Sequence, residues 1–235
     1  GPRSAKILGL QASHRSEDIW KGLIRSRCIV VTIGHGHYMI TLIPFIQQAG
    51  FYGIAQIGHI SLDHALITAL VKRWRQETHD FHMVVDEMTV TLQDVAVLQG
   101  LRIDGSAVKR PFTCDRPWDA LCEELLLENR RAISGTSLRL SWLYKNFAQL
   151  PLLFCDPNVL ERHTRAYILC LLGSILFPDS SGDTVPLMFL HMLIDLYDVD
   201  TYSWGSRTLA WLYRSLCRDC HRCVPQINGN LLLLQ

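Results

Sequence analysis

The most concentrated group of chemically reactive side chains lies near the C terminus, in the segment Cys217-Arg218-Asp219-Cys220-His221-Arg222-Cys223. A Cys-x-x-Cys-His spacing is used for c-type haem attachment, and three cysteines with one histidine could hold zinc. Haem attachment requires export, for which the sequence shows no signal, and one helical run cannot place four ligands tetrahedrally. We therefore interpret the segment as a helix C terminus rich in Cys and Arg, and keep Cys217, Cys220, His221 and Cys223 as candidate metal ligands.

Other patterns with catalytic potential are incomplete. His35 and His37 have the spacing of a metallophosphatase pair but lack its Asp-rich partner motifs, and the segment His79 to His82 lacks the Glu of a zinc protease helix. The sequence contains no phosphate-binding glycine loop, no nucleophile elbow, and no lysine in a recognisable pyridoxal setting. It therefore predicts no enzyme and no cofactor.

Arginine could serve a binding function instead. The chain has 18 Arg and 5 Lys, and Arg214, Arg218 and Arg222 are spaced to lie along one helix face. Such a face could follow phosphates, although a solvated helix face is the favoured interpretation. Lys109 and Arg110, in the predicted loop 102–111, are further candidate contacts to a partner or to nucleic acid.

Composition limits the class of protein. Of the 235 residues 49% are hydrophobic, and the net charge is +1 with a pI near 7.8, so the chain can fill a core and lacks the charge of a dedicated nucleic-acid binder. The eight cysteines fit buried thiols in a reducing compartment. The longest apolar run, 166–177, is shorter than the roughly 20 residues of a membrane span.

These side chains must be positioned by helices and short strands. A helix is predicted after Ser61, capped by that hydroxyl, with Leu62, Ala65, Leu66, Ala69 and Leu70 as its buried stripe. A hairpin follows, with strands at 81–85 and 88–91. Thr91 and Asp94 predict a capping box for the next helix, which is expected to end at Gly100. Val95 and Leu98 are predicted to face inward, and Leu92 is a further candidate for the core.

The rest of the chain is predicted as mostly helical. We expect a strand at 28–33, a short helix opened by Pro44 and ended at Gly50, and helices at 118–127, 138–150, 156–177, 186–197 and 206–220. Asp156 and Pro157 begin the longest helix, and 179–183 forms a loop. The predicted fold is mainly α (α+β), a multi-helix globular domain with one or two small β-hairpins.

Domain limits follow from the same patterns. Gly1-Pro2 is typical of a tag remnant, and residues 3–235 are predicted to form one domain, with a subdivision considered near 106–116. The leucine run 231–234 ends abruptly, which suggests that the native chain continues.

An ordered set of motifs resembles the plant mobile domain family. The set begins with HRSEDIW (14–20), LDHALITALVKRWR (62–75), ETHDFH (77–82) and TVTLQDV (89–95), and continues with GL (100–101), DG (104–105), LSWL (140–143), RAY (165–167), LFPD (176–179), YSWGS (202–206) and LYR (212–214). The resemblance covers nearly the whole chain. His64, Gln76 and Asn230 depart from the family pattern, which has an aromatic residue, a proline and a small residue at these positions.

The resemblance implies a non-catalytic nuclear interaction domain, as in free-standing members of the MAINTENANCE OF MERISTEMS type, which are related to the serine/threonine phosphatase 7 long form. The implied partner is a phosphatase-7-like protein, and the implied roles are transposable-element silencing, control of gene expression and genome integrity in meristems. The alternative is a DNA- or RNA-binding module derived from a transposable element. Seven family-signature residues are interpreted as architecture: Trp74, Arg75, His79, His82, Asp94, Trp142 and Trp204.

Overall fold

A computed structural model describes residues 37–57, 60, 62–109, 117–126, 132–149, 156–179, 181–221, 224 and 227–235. The predicted strand at 28–33, the predicted cap Ser61 and the histidine His35 lie outside the described residues, as do Arg110, Arg222 and Cys223.

Helices dominate the described part of the chain, and two three-stranded antiparallel sheets separate them, which confirms the predicted mainly α fold with small β elements. The helices are α1 (His37–Gln48), α2 (Tyr52–Gln56), α3 (His64–Arg73), α4 (Leu92–Gln99), α5 (Trp118–Leu126), α6 (Leu140–Phe147), α7 (Pro157–Leu171), α8 (Met188–Met192) and α9 (Trp204–Asp219). The strands are β1 (Trp74–Arg75), β2 (Asp80–His82), β3 (Glu87–Met88), β4 (Ile133–Ser134), β5 (Ser137–Arg139) and β6 (Thr184–Pro186).

The first helix is longer than predicted. α1 begins at His37, and Pro44 lies inside it rather than at its start. Gly50 ends the turn as predicted: its φ of 76° is left-handed, and Phe51 N donates to Ile46 O across that turn at 3.0 Å.

Helix α3 begins later than predicted and buries a different stripe. Its cap is Asp63, whose carboxylate accepts hydrogen bonds from the Ala65 and Leu66 amides, both at 2.9 Å. Leu66 is 39% exposed, whereas Ile67 and Val71 are fully buried. The prediction grouped the helix's Leu and Ala residues, but packing selects the β-branched pair, which is also four residues apart.

The hairpin prediction is confirmed, with shorter strands and one additional strand. Phe81 pairs with Met88, and β1 joins the other edge of β2 through the pair Trp74 and Phe81. The end of the predicted first strand is instead the exposed turn, where the side chains of Val84 and Val85 are 95% and 91% exposed.

Helix α4 starts with the predicted capping box: Thr91 N donates to Asp94 Oδ2 at 2.7 Å, and Asp94 N donates to Thr91 Oγ1 at 3.3 Å. Val95 is buried as predicted, but Leu98 is 59% exposed and Leu92 39% exposed. Gln99 occupies the inward position instead. Gly100 ends the helix with a φ of 64°, as predicted.

The second half contains a sheet that the sequence did not indicate. The segment predicted as the start of a helix, 138–139, belongs to β5, so that α6 begins at Leu140. Pro186 pairs with Ser137 in the same sheet, and the predicted helix 186–197 is therefore reduced to α8. The predicted helices at 118–127 and 206–220 are confirmed within two residues at each described end.

The longest helix is confirmed with a change near its end. Asp156 caps α7 by accepting a hydrogen bond from Asn158 N at 3.0 Å, and Pro157 is its first residue, as predicted. From Leu172 to Leu176 the backbone continues as a π-helix.

Residues from both ends of the described chain share the core. The leucines Leu231, Leu233 and Leu234 are buried, in a 3-10 turn beside α3 and α4. Asp63 N donates to Gln235 Oε1 at 2.9 Å. Within the described residues, no helix combines the length and the apolar character that a membrane span requires.

Candidate partner-binding surface

Trp74 anchors α9 to the first sheet. Its fully buried indole lies edge-on to Phe81 and Tyr213, with ring centroids at 4.9 and 5.2 Å, and its Nε1 donates to Cys217 Sγ at 3.4 Å. A large aromatic ring with its polar edge satisfied stabilises a core. The structure therefore places this signature residue in packing.

His79 belongs to the same cluster. It has a φ of 57°, unusual for a residue other than glycine, and its ring stacks on Tyr213 with 6.0 Å between centroids. Thr89 Oγ1 donates to His79 O at 2.9 Å, and Tyr213 Oη donates to Val90 O at 2.8 Å. These contacts hold the turn between β1 and β2 against α9.

Arg75 and His82 lie on the opposite face of the first sheet from Trp74. Arg75 is 93% buried, and its Nη1 donates to Trp74 O at 3.4 Å, a long bond. The His82 imidazole is exposed, with Nδ1 3.9 Å from Glu87 Oε1.

The candidate metal ligands near the C terminus surround an amide. The Gln76 Nε2 group donates to Cys217 O and to Cys220 Sγ, the latter at 3.1 Å, and lies 2.9 Å from His221 Nε2. In the described part of the chain no three metal-ligating side chains are close enough to hold an ion. Cys223 lies outside that part.

Burial controls the chemistry of these thiols. It raises the pKa of Cys220 to about 11, and it raises the pKa of Cys217 as well. A thiol with a raised pKa is protonated at neutral pH and is a weak nucleophile. Both thiols are therefore protonated at neutral pH, and their sulfurs accept hydrogen bonds from Trp74 and Gln76.

The two remaining signature tryptophans have packing contacts. Trp204 is 1% exposed, donates from Nε1 to Val199 O at 2.9 Å, and lies edge-on to Phe51 at 5.2 Å. Trp142 is half-buried and lies edge-on to Phe147, with 5.7 Å between centroids.

The solvent side of α9 carries the predicted arginines. Arg214 and Arg218 are exposed, and Arg218 Nε donates to Asp219 Oδ1 at 2.8 Å. Asp219 is fully buried and also accepts a hydrogen bond from Asn228 N at 2.5 Å, so it neutralises Arg218 in place. Lys109 is exposed at the end of the described loop.

Two further residues of this surface were not identified from the sequence. The Arg207 guanidinium lies 5.9 Å from the centroid of the Phe177 ring, and the Trp211 indole lies edge-on to the same ring at 6.2 Å. Burial lowers the pKa of Arg207, and the charge of Arg214 lowers it further. Arg207 and Trp211 precede Arg214 by seven and three residues. This spacing places all three on one side of a helix, so the two residues could have been identified from the sequence.

Comparison with known proteins gives a consistent result. The plant mobile domain model matches residues 50–235. The whole chain is 44% identical to a part, 18% of the length, of the Arabidopsis thaliana "Serine/threonine-protein phosphatase 7 long form homolog". It is 41% identical to 36% of "Protein MAIN-LIKE 2" from the same plant. A third relative is "Protein MAINTENANCE OF MERISTEMS", also from Arabidopsis thaliana. The match covers 97% of the chain and 49% of that protein, with 34% identity. The chain thus spans half or less of these relatives, and no solved structure matches it.

Proposed function

Because the chain belongs to the plant mobile domain family, we propose that it is a non-catalytic nuclear interaction domain that acts with a phosphatase-7-like partner. Its roles in this proposal are transposable-element silencing, control of gene expression and genome integrity in meristems. The observation that carries the proposal is the similarity along the whole chain to proteins named MAIN-LIKE and MAINTENANCE OF MERISTEMS.

The geometry of the polar side chains supports a binding role. The hydroxyls of Thr89 and Tyr213 bond to backbone carbonyls, and the Gln76 amide is occupied by the end of α9. Groups satisfied in this way position elements and are not available to activate a substrate. What the described surface does offer is exposed charge on α9.

The proposal is tested by affinity capture from plant nuclei with the tagged chain as bait. We expect the phosphatase 7 long form homolog among the captured proteins, and a fluorescent fusion concentrated in the nucleus. Absence of that protein from repeated captures would contradict the partner. Hydrolysis of p-nitrophenyl phosphate by the purified chain would contradict the non-catalytic role.

A second candidate function is nucleic-acid binding, which the exposed guanidinium of Arg214 favours. Binding through phosphates weakens steeply as salt rises, because counterions are released, whereas a largely apolar protein interface responds little. Retention on DNA at low salt that is lost on replacing Arg214 and Arg218 is the expected result for this function. No retention at low salt would exclude it.

A further inference from the structure

We propose that Arg207, Trp211 and Arg214 form a docking surface for an acidic segment of a partner protein, whose carboxylates bind the two guanidinium groups on either side of the indole. This inference rests on the proposed function for the statement that the partner is a protein. The three residues would bind an acidic segment of this kind in whichever partner protein carries it.

The three residues share one side of α9. Helical geometry puts positions i, i+4 and i+7 within one narrow stripe, and seven residues span roughly 10 Å along the axis. The buried side of the helix carries Thr208, Leu212 and Leu216, each with no exposed surface. The stripe therefore lies at the edge of the buried side, with Arg214 exposed and with Arg207 and Trp211 partly buried.

Among the described arginines, Arg102, Arg165 and Arg218 have acidic partners, and the two arginines of this stripe do not. Arg165 bonds to Glu161 Oε2 at 2.9 Å, and Arg218 bonds to Asp219. Among the described residues Arg207 and Arg214 form no ion pair, and each charge opposes the other. An incoming carboxylate would remove this repulsion.

Two hydrogen-bond donors also lack acceptors. The Arg207 Nε and Trp211 Nε1 atoms are buried without a partner in the described part of the chain. A buried donor without an acceptor costs about 1–3 kcal/mol, because it has lost water and gained nothing. A small rearrangement of either side chain toward a bound carboxylate would satisfy it.

The surface is held in place before binding. Phe177 is 2% exposed and stacks on Phe189 with 4.9 Å between centroids. Because Arg207 and Trp211 both rest on this fixed ring, less side-chain freedom is lost when a ligand binds them.

Charge favours an acidic protein segment over nucleic acid as the occupant. The whole chain carries a net charge of only +1, and Arg218 is already neutralised by Asp219. Affinity for a nucleic acid grows with the number of phosphates that cations neutralise, and among the described residues this stripe offers only two guanidiniums without an acidic partner. Two guanidiniums with an indole donor between them fit a few carboxylates, each of which can accept a forked pair of hydrogen bonds.

The test measures binding of two labelled probes to the whole chain by fluorescence anisotropy. One probe is a twelve-residue peptide of alternating Glu and Ser, and the other is a twelve-nucleotide oligothymidylate. The test variants are Arg207→Gln with Arg214→Gln, and Arg214→Gln alone, which alters only an exposed side chain. Arg139→Gln with Lys145→Gln is the matched control, because both residues are exposed and the same charge is removed.

We expect the peptide to bind the parent chain and the control with equal affinity. We expect its affinity for the double variant to be about tenfold lower. Arg214→Gln alone should cause part of that loss of affinity. The variant with Arg207→Lys and Arg214→Lys should keep only part of the parent affinity, because lysine lacks the forked donor. An equal loss in the control variant, or tighter binding of the oligothymidylate than of the peptide, would overturn the proposal. Capture of a phosphatase-7-like protein that is unaffected by the double variant would overturn the docking surface and leave the proposed function standing.

Discussion

The side-chain amides of Gln99 and Asn230 exchange two hydrogen bonds in the core, at 3.0 and 2.9 Å, although 131 residues separate them in the chain. Their exposed fractions are 2% and 0%. Each amide supplies one donor and one acceptor to the other, so that both side-chain oxygens have a partner without water. The pair joins the C-terminal end of α4 to the segment before the final leucines.

Breaking this pair from one side should cost more than removing it. We expect Gln99→Leu or Asn230→Ala to lower the free energy of unfolding by about 1–3 kcal/mol, because each leaves one buried amide without partners. The double variant should lose less than the sum of the two single losses. Urea denaturation of all four proteins measures this coupling, and simple additivity would contradict it.

The hydrogen bonds of Asp179, in the loop before β6, should make part of the protein's stability depend on pH. Burial alone would raise the pKa of Asp179, but hydrogen bonds from Thr184, Ser181 and Gly182, at 2.6 to 3.0 Å, outweigh it and lower the pKa below the usual 3.8. A lowered pKa in the folded state stabilises the protein above the unfolded value, and this contribution is lost as the pH falls through the folded value.

Asp179→Asn should therefore lower the thermal midpoint at pH 6 by no more than about 2 °C, because solvent screens this partly exposed carboxylate. The difference from the parent should shrink below pH 4. Asp156→Asn, which alters a helix cap outside the loop, serves as the comparison. A difference between the parent and Asp179→Asn that stays constant down to pH 2.5 would show that Asp179 does not titrate as described.

Cys220 should react slowly with thiol reagents in the folded protein. Its pKa of about 11, against an ordinary 9.0, makes the reactive thiolate about a hundredfold rarer at pH 8. Gln76→Ala removes a hydrogen bond that lowers the pKa of Cys220, so the thiolate becomes rarer still and we expect slower alkylation, measured by mass spectrometry of the modified peptide. The unfolded protein gives the upper limit of the rate. Equal rates in the folded and unfolded chains would contradict the burial of this thiol.

Gly53 marks the closest approach of α2 to the end of α4. A Cβ atom at this position would lie 2.5 Å from Gln99 O and 2.8 Å from Gly100 Cα, both backbone atoms that cannot move aside alone. We expect Gly53→Ala to cost about 1–3 kcal/mol of stability through overpacking. Gly135→Ala is the control, because its φ of 62° adds backbone strain while nothing lies within 4 Å. A loss at Gly53 no greater than at Gly135 in urea denaturation would contradict the close approach.

Local sequence signals predicted the elements they control directly. The capping box of Thr91 and Asp94, the cap at Asp156 and the left-handed glycines Gly50 and Gly100 depend on neighbours within a few residues, and all are confirmed. On the inward face of α4, Val95 was predicted correctly, but Leu98 was predicted in place of Gln99, whose buried amide is paired with the distant Asn230. Helical periodicity treats such a glutamine as a surface residue and turns Leu98 inward instead.

Contacts between residues far apart in the sequence also limited what could be predicted for the second half of the chain and for the candidate surface. Pro186 favours a helix start locally but pairs with Ser137, an interaction that no local pattern shows. On α9 the exposed positions of Arg214 and Arg218 follow from helical spacing. The role of Phe177 in holding Arg207 and Trp211 depends on tertiary contact and could not be predicted from the sequence.

The burial of Leu231, Leu233 and Leu234 beside α3 and α4 has a consequence for synthesis. The ribosome delivers the chain from its N terminus at about 5–20 residues per second, so Gln99 emerges roughly 7 to 26 s before the partner 131 residues downstream. Throughout that interval α3 and α4 lack the leucines that pack beside them, and the Gln99 amide can bond only to water or to other partners. The packing of this 3-10 turn against α3 and α4 can therefore form only after its leucines have left the ribosome.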